Sequence, residues 1–153
     1  NGRAITELAR KNPGIVEAYG FSKDSYASWE KNEHVRFIQE VSRQFPRFIK
    51  DHSVDLIFSY YGLFHVHGLS GAFAKGSKYA SQQKDSVALN AFLHIMHLIQ
   101  KLNMGGELFA QLPLGAKDSI LKRLMLGRHL FTVRIIRTSH RNREFVISVK
   151  MPN

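Results

Sequence analysis

"VDLIFSYYGLFHV", Val54 to Val66, is the stretch on which the reading of this chain turns. Asp55 enters, Leu56, Ile57 and Phe58 follow, and the apolar run breaks at Ser59-Tyr60-Tyr61-Gly62 before resuming around His65. A short apolar run bounded by turn residues reads as a buried strand, because strands are short and glycine punctuates them. The strand is therefore expected at about 54–59, with a small hydroxyl residue, two tyrosines and a glycine at its carboxyl end.

Upstream, "RAITELARK" places Ala4, Ile5, Leu8 and Ala9 on one face of a short helix, and Asn12-Pro13-Gly14 stops it. "IVEAYGF" at 15–21 and "HVRFI" at 34–38 read as strands, separated by a polar segment at 22–32. A polar stretch containing Pro46 leads to the opening strand. Downstream, residues 68–86 are rich in Gly, Ser and Lys and read as a long surface loop with room for a helical turn. "VALNAFLHIMHLIQKLN" at 87–103 is the strongest helix, apolar almost all round and so expected to be well buried, with Gly105-Gly106 as its glycine cap. "ELFAQL" at 107–112 reads as a strand, "KDSILKRLML" at 117–126 as a helix ended by Gly127, and "HLFTVRII" and "EFVISVKM" as a closing antiparallel hairpin.

Strands alternating with helices indicate an α/β fold with a mostly parallel sheet covered on both faces, to which the C-terminal hairpin adds antiparallel pairing. In such sheets ligands bind beyond the carboxyl ends of the strands. The length of 153 residues fits one domain, 1–153. The chain has no cysteine, which removes disulfides, thiolate metal sites and a cysteine nucleophile, and fits a reducing, cytoplasmic setting. No apolar stretch is long enough for a membrane helix. The formal net charge of +10 and the sequence pI of about 10.1 make nucleic acid a candidate partner. Lysine and arginine are densest at 122–128 and 134–143.

In this order the fragments resemble the class I (Rossmann-like) S-adenosylmethionine-dependent methyltransferases over nearly the whole chain. Asn1-Gly2-Arg3-Ala4 looks like the tail of that family's glycine-rich loop, D/E-x-G-x-G-x-G, and "ARKNPGIVEAYGFSKDS" resembles its first helix, turn and second strand. "HVRFIQEVS" is similar to the third strand, "SVDLIFSYYGLFHV" to the fourth strand with its acceptor loop, and "LNMGGELFAQLP" to the turn into the fifth. The resemblance implies S-adenosylmethionine as cofactor, held across Asn1, Gly2, Ser22, Glu40, Val41, Ser59 and Tyr60. It implies a methyl acceptor, small or macromolecular, over Tyr61, Gly62 and His65. It also implies a first strand with most of its glycine loop that this chain lacks, which would leave a gap in the sheet and unpaired strand edges.

Several positions depart from the family pattern. Ser22 stands where a ribose-binding acid is usual, with Asp24 two residues on. Val41 stands where an adenine-binding Asp is usual, with Glu40 one residue before. Ser59-Tyr60-Tyr61-Gly62 is unlike the D/N/S-P-P-Y/F/W motif of base-amine methyltransferases. Glu144 in "SHRNREF" is similarly placed to the Glu of the ribose 2′-O tetrad. Gln111 replaces that tetrad's fifth-strand Lys, and Ser59 or Tyr60 its Asp. His65 and His67 are too few for a metal site, since zinc asks for at least three protein ligands, but a histidine there could act as general base. His94 and His97 are expected to pack or face a partner, and Trp29 and Phe73 to pack rather than form a lid. No catalytic residue and no metal ligand is assigned, and the oligomeric state stays open. The weakened cofactor contacts leave a second expectation: a methyltransferase-like binding protein, without catalysis, using its basic surface for RNA or protein.

Overall fold

The structure is a computed structural model that describes residues 3–15, 17–22, 33–39, 45–59, 66–127, 129–138 and 142–150. The chain divides into two compact units, Asn1–Phe48 and Ile49–Asn153.

In the first unit, helix α1 (Arg3–Lys11) accompanies strands β1 (Ala18–Ser22) and β2 (Val35–Gln39), and a short helix α2 (Phe45–Phe48) closes it. Helix α1 buries Thr6 and Ala9, and the salt bridge Lys11–Glu7 at 2.9 Å spans one turn of its outer face. Its last turn is closed by Asn12, whose backbone N–H reaches the Ala9 carbonyl and whose side-chain amide donates to the Leu8 carbonyl at 2.7 Å. Pro13 cannot continue the ladder because it has no N–H. Strands β1 and β2 pair in parallel from Ala18↔Val35 to Ser22↔Gln39. The Phe37 ring lies so close over Gly20 that an added Cβ would stand 2.6 Å from it, so glycine is required there for packing.

The second unit holds a four-stranded sheet in the order β3-β4-β6-β5. Its strands are β3 (Val54–Ser59), β4 (Leu102–Pro113), β5 (Phe131–Thr138) and β6 (Asn142–Val149). Its helices are α3 (Leu69–Ala72), α4 (Ser81–Lys101) and α5 (Lys117–Leu126). Strand β3 runs parallel to β4, whereas β4–β6 and β5–β6 are antiparallel. Every pairing that precedes the closing hairpin is thus parallel, as the alternation of elements implies.

Most of the core lies on one face of this sheet. Ile57, Leu108, Ala110, Leu112 and Ile147 are buried there, as are Ala88, Ala91, Ile95 and Leu98 of α4 and Ile120 and Leu124 of α5. The spacing of the α4 residues is that of a single helical stripe. Leu89 and Leu93 are 43% and 47% exposed, so the helix is less completely buried than its near-continuous apolar sequence implies. It also begins six residues earlier than its apolar pattern does. Ser81 to Ser86 are polar and show no period, and the turn is held instead by the Ala80 N–H donating to the Gln83 side chain at 2.9 Å.

Strand β3 is exposed on one face where its sequence reads as buried, while its unpaired edge agrees with the expected gap in the sheet. Among the described residues it is an edge strand, with β4 its one neighbour, and β1 likewise pairs only with β2. Ile57 is buried, but Leu56 and Phe58 on the opposite face are 50% and 58% exposed. Phe58 covers itself partly by stacking on Phe109, with ring centroids 4.9 Å apart.

The glycine pair also has a different role from the expected cap. Helix α4 ends at Lys101 and β4 begins at once, so Gly105 and Gly106 lie inside a strand. The β3–β4 register jumps between Val54↔Leu102 and Leu56↔Glu107, and the glycines carry this bulge. Gly105 has φ +79°, and a Cβ on Gly106 would sit 2.9 Å from the Asn103 carbonyl and 3.0 Å from that of Val54. The same corner is tied down from outside. His52 and Ser53 donate backbone N–H groups to Gln100 and Lys101, Lys101 pairs with Asp51, and Asn103 donates to the Asp55 carboxylate at 2.8 Å. Asp55, the acid that opens the decisive stretch, therefore anchors the start of its strand.

Candidate cofactor and acceptor site

In the first unit, the register Ser22↔Gln39 brings the carboxyl ends of β1 and β2 level. This sets Ser22 beside the start of the segment that holds Glu40 and Val41, which lie outside the described residues, as do Asn1, Gly2, Asp24 and Trp29.

In the second unit, β3 ends at Ser59 opposite Ala110 of β4. Two small side chains thus stand side by side at the end of the parallel pair, while β4 continues through Gln111, Leu112 and Pro113 along β6. Tyr60, Tyr61, Gly62 and His65 fall outside the described residues. The chain re-enters view at Val66–Gly68, a 3-10 turn in which His67 (φ 56°) and Gly68 (φ 76°) are consecutively left-handed. Glycine adopts that region without cost and a histidine rarely does, so this turn is held by its surroundings. Leu69 and Ala72, both fully buried, fix the helix that follows.

The surroundings include His94 of α4, whose ring meets that of His67 edge-on at 5.7 Å. His94 is 6% exposed, and burial, followed by the charges available to His67 and His97, pushes its pKa down to about 4. A neutral imidazole thus packs against the Val66–Gly68 turn. The sequence places His94 in a packing role, which its burial matches, but gives no sign that His67 is its neighbour. His97 is exposed, and Phe73 packs against the backbone of Gly115 rather than standing free as a lid. Gln111 is fully buried, and the β4–β6 register sets it directly opposite Glu144. The position that would carry a lysine in a 2′-O tetrad is therefore paired with the position of the tetrad's Glu, but with a neutral amide in the lysine's place. Among the described residues no group of three or more His, Asp or Glu side chains could hold a metal ion. Among them, too, no helix is long and apolar enough to cross a membrane.

No protein-family model matches the sequence, and no curated protein matches it. Solved structures do. An rRNA methylase from Streptococcus thermophilus superposes with a TM-score of 0.57 at 11% identity, over 88% of this chain and 74% of that one. SMU.1697c from Streptococcus mutans, in complex with SAH, superposes with a TM-score of 0.55 at 13% identity, over 97% of this chain and 80% of that one. The fold is that of the class I methyltransferases. At such identities the likeness concerns the backbone. In this methyltransferase fold, the carboxyl ends of β1, β2 and β3 are where the sequence reading sets its candidate residues. Of these, Ser22 and Ser59 occupy strand ends in the described structure.

Proposed function

We propose that the protein transfers a methyl group from S-adenosylmethionine to an acceptor. The observation that carries this reading is the end of β3. A parallel strand stops at Ser59 beside Ala110, at the end of the sheet where open α/β folds bind ligands, and a Tyr-Tyr-Gly sequence follows. The chemistry of this strand end suits such a ligand: the Ser59 hydroxyl would bond a polar group, and serine and alanine side by side are small.

On this reading Asn1, Gly2, Ser22, Glu40, Val41, Ser59 and Tyr60 hold the cofactor, and Tyr61, Gly62 and His65 face the acceptor. The cofactor supplies an electrophilic methyl on sulfonium. Bound there, it would be open to attack by the acceptor atom, and His65 would be placed to take a proton from the acceptor where there is one. The chain's own contribution is mainly to hold the two reactants in line. The basic charge favours an anionic macromolecule, nucleic acid first, as carrier of the acceptor. The serine at the end of β1, in place of a ribose-binding acid, favours the second reading of a methyltransferase-like binding protein.

Calorimetric titration with S-adenosylmethionine and S-adenosylhomocysteine separates the two. The enzyme reading expects saturable binding of both, weakened at least ~10-fold by Ser59→Tyr, which puts a bulky ring at the strand end. No binding at about 1 mM, equivalent to less than about 4 kcal/mol, would sink it.

A further inference from the structure

We propose that the open edge of β5, with the apolar pocket beside it, is a docking site for an extended, acidic and aliphatic segment of a partner protein. The site is distinct from the carboxyl end of β3 and does not rest on the methyltransferase reading.

Among the described residues strand β5 is the outer strand of its sheet. The Lys150 N–H donates to the Leu130 carbonyl at 3.0 Å, which makes Leu130 and Lys150 a hydrogen-bonding pair. Antiparallel pairing alternates, and the register continues through Thr132↔Ser148 and Arg134↔Val146. Thr132 and Arg134 therefore spend their backbone groups on β6, while Val133 and Ile135 turn theirs to the open edge. Beyond Ile135 the β5–β6 register shifts, and this bulge limits the straight edge to Phe131–Ile135.

Beside that edge lies a cavity of about 320 Å³ lined by Leu124, Met125, Phe131, Thr132, Val133 and Lys150. Around it aliphatic side chains stand in solvent: Leu126 is 80% exposed, Leu130 56%, Met125 51% and Ile135 46%. Lys122 stands one helical turn before Met125, and Arg134 is exposed on the strand. Among the residues from Lys117 to Lys150 the acids are Asp118, at the far end of α5, and Glu144.

Three occupants are conceivable, and charge decides between them. A second copy pairing edge to edge would bring this basic region against its own copy, and in the register that sets Val133 against Ile135 it places Arg134 directly opposite Arg134, where like charges repel. A single-stranded nucleic acid would find no exposed aromatic ring to stack on among the residues lining the cavity, where the one ring, Phe131, is 1% exposed. An extended peptide satisfies every feature. Its backbone bonds Val133 and Ile135, alternate aliphatic residues enter the pocket side, and the intervening carboxylates meet Arg134 and Lys150.

The test uses the whole chain and a blocked peptide alternating glutamate and leucine, followed by amide chemical shifts in NMR. We expect saturable shifts at Val133, Ile135 and Met125 below ~1 mM peptide. Arg134→Glu should weaken binding about fivefold or more, as should the same peptide with lysine for glutamate. A peptide N-methylated at alternate residues should not bind, a control that leaves the protein untouched. Absence of these shifts, equal binding of the lysine peptide, concentration-dependent dimerisation through β5, or displacement of the peptide by an oligoribonucleotide would each overturn the proposal.

Discussion

Burial holds the His94 imidazole neutral, with its pKa down to about 4 from an ordinary 6.5. The unfolded chain takes up this proton near pH 6.5 and the folded one does not until about pH 4, so stability falls as pH drops through that window. Between pH 7.5 and 5 the linkage amounts to about 2 kcal/mol, readable by urea denaturation at the two pH values. His94→Leu should remove most of that pH dependence; an unchanged slope would show that other groups cause it. Gly106 carries a second prediction at this scale. Gly106→Ala pushes a methyl against the Asn103 and Val54 carbonyls, backbone atoms that cannot step aside, and should cost about 1–3 kcal/mol in the same assay. The histidine's burial was legible in the sequence, because His94 sits in a stripe with Ala91, Ile95 and Leu98. Its contact with His67 was not, because it depends on a left-handed backbone at His67 that no local residue dictates.

Among the elements, those with a clear apolar period were legible to within a few residues: α1, β3, α5 and the closing hairpin. The misreadings share a cause. Helix α4 starts at Ser81 because Gln83 holds its first turn, a polar device invisible to a hydrophobic pattern. Strand β4 starts at Leu102 because the glycine pair works as a bulge rather than a cap, and both uses need the same permissive backbone. Strand β3 reads as buried because Leu56 and Phe58 are apolar, yet both are exposed, and among the described residues β4 is its one neighbour. Exposed apolar side chains such as Leu56 and Phe58 mark a sheet face suited to burial.

At the scale of the molecule, alternating strands and helices sufficed for the fold because parallel strands require crossover elements, and that requirement writes itself into the order of the sequence. The site was less legible. Its candidate residues follow from where strands stop, and Ser22 and Ser59 do stand at strand ends, but which ligand atoms they meet is a matter of side chains and not of topology. The charge is a property of the whole surface, and it selects anionic partners without naming one.

The most direct test of the central claim is ultraviolet cross-linking of S-adenosylmethionine tritiated in its methyl group, with the labelled peptides mapped by mass spectrometry. The account predicts label in the peptide spanning Ser59 to Gly62, displaced by excess S-adenosylhomocysteine and lost in Ser59→Tyr. Label confined to other parts of the chain, or label indifferent to the competitor, would contradict it.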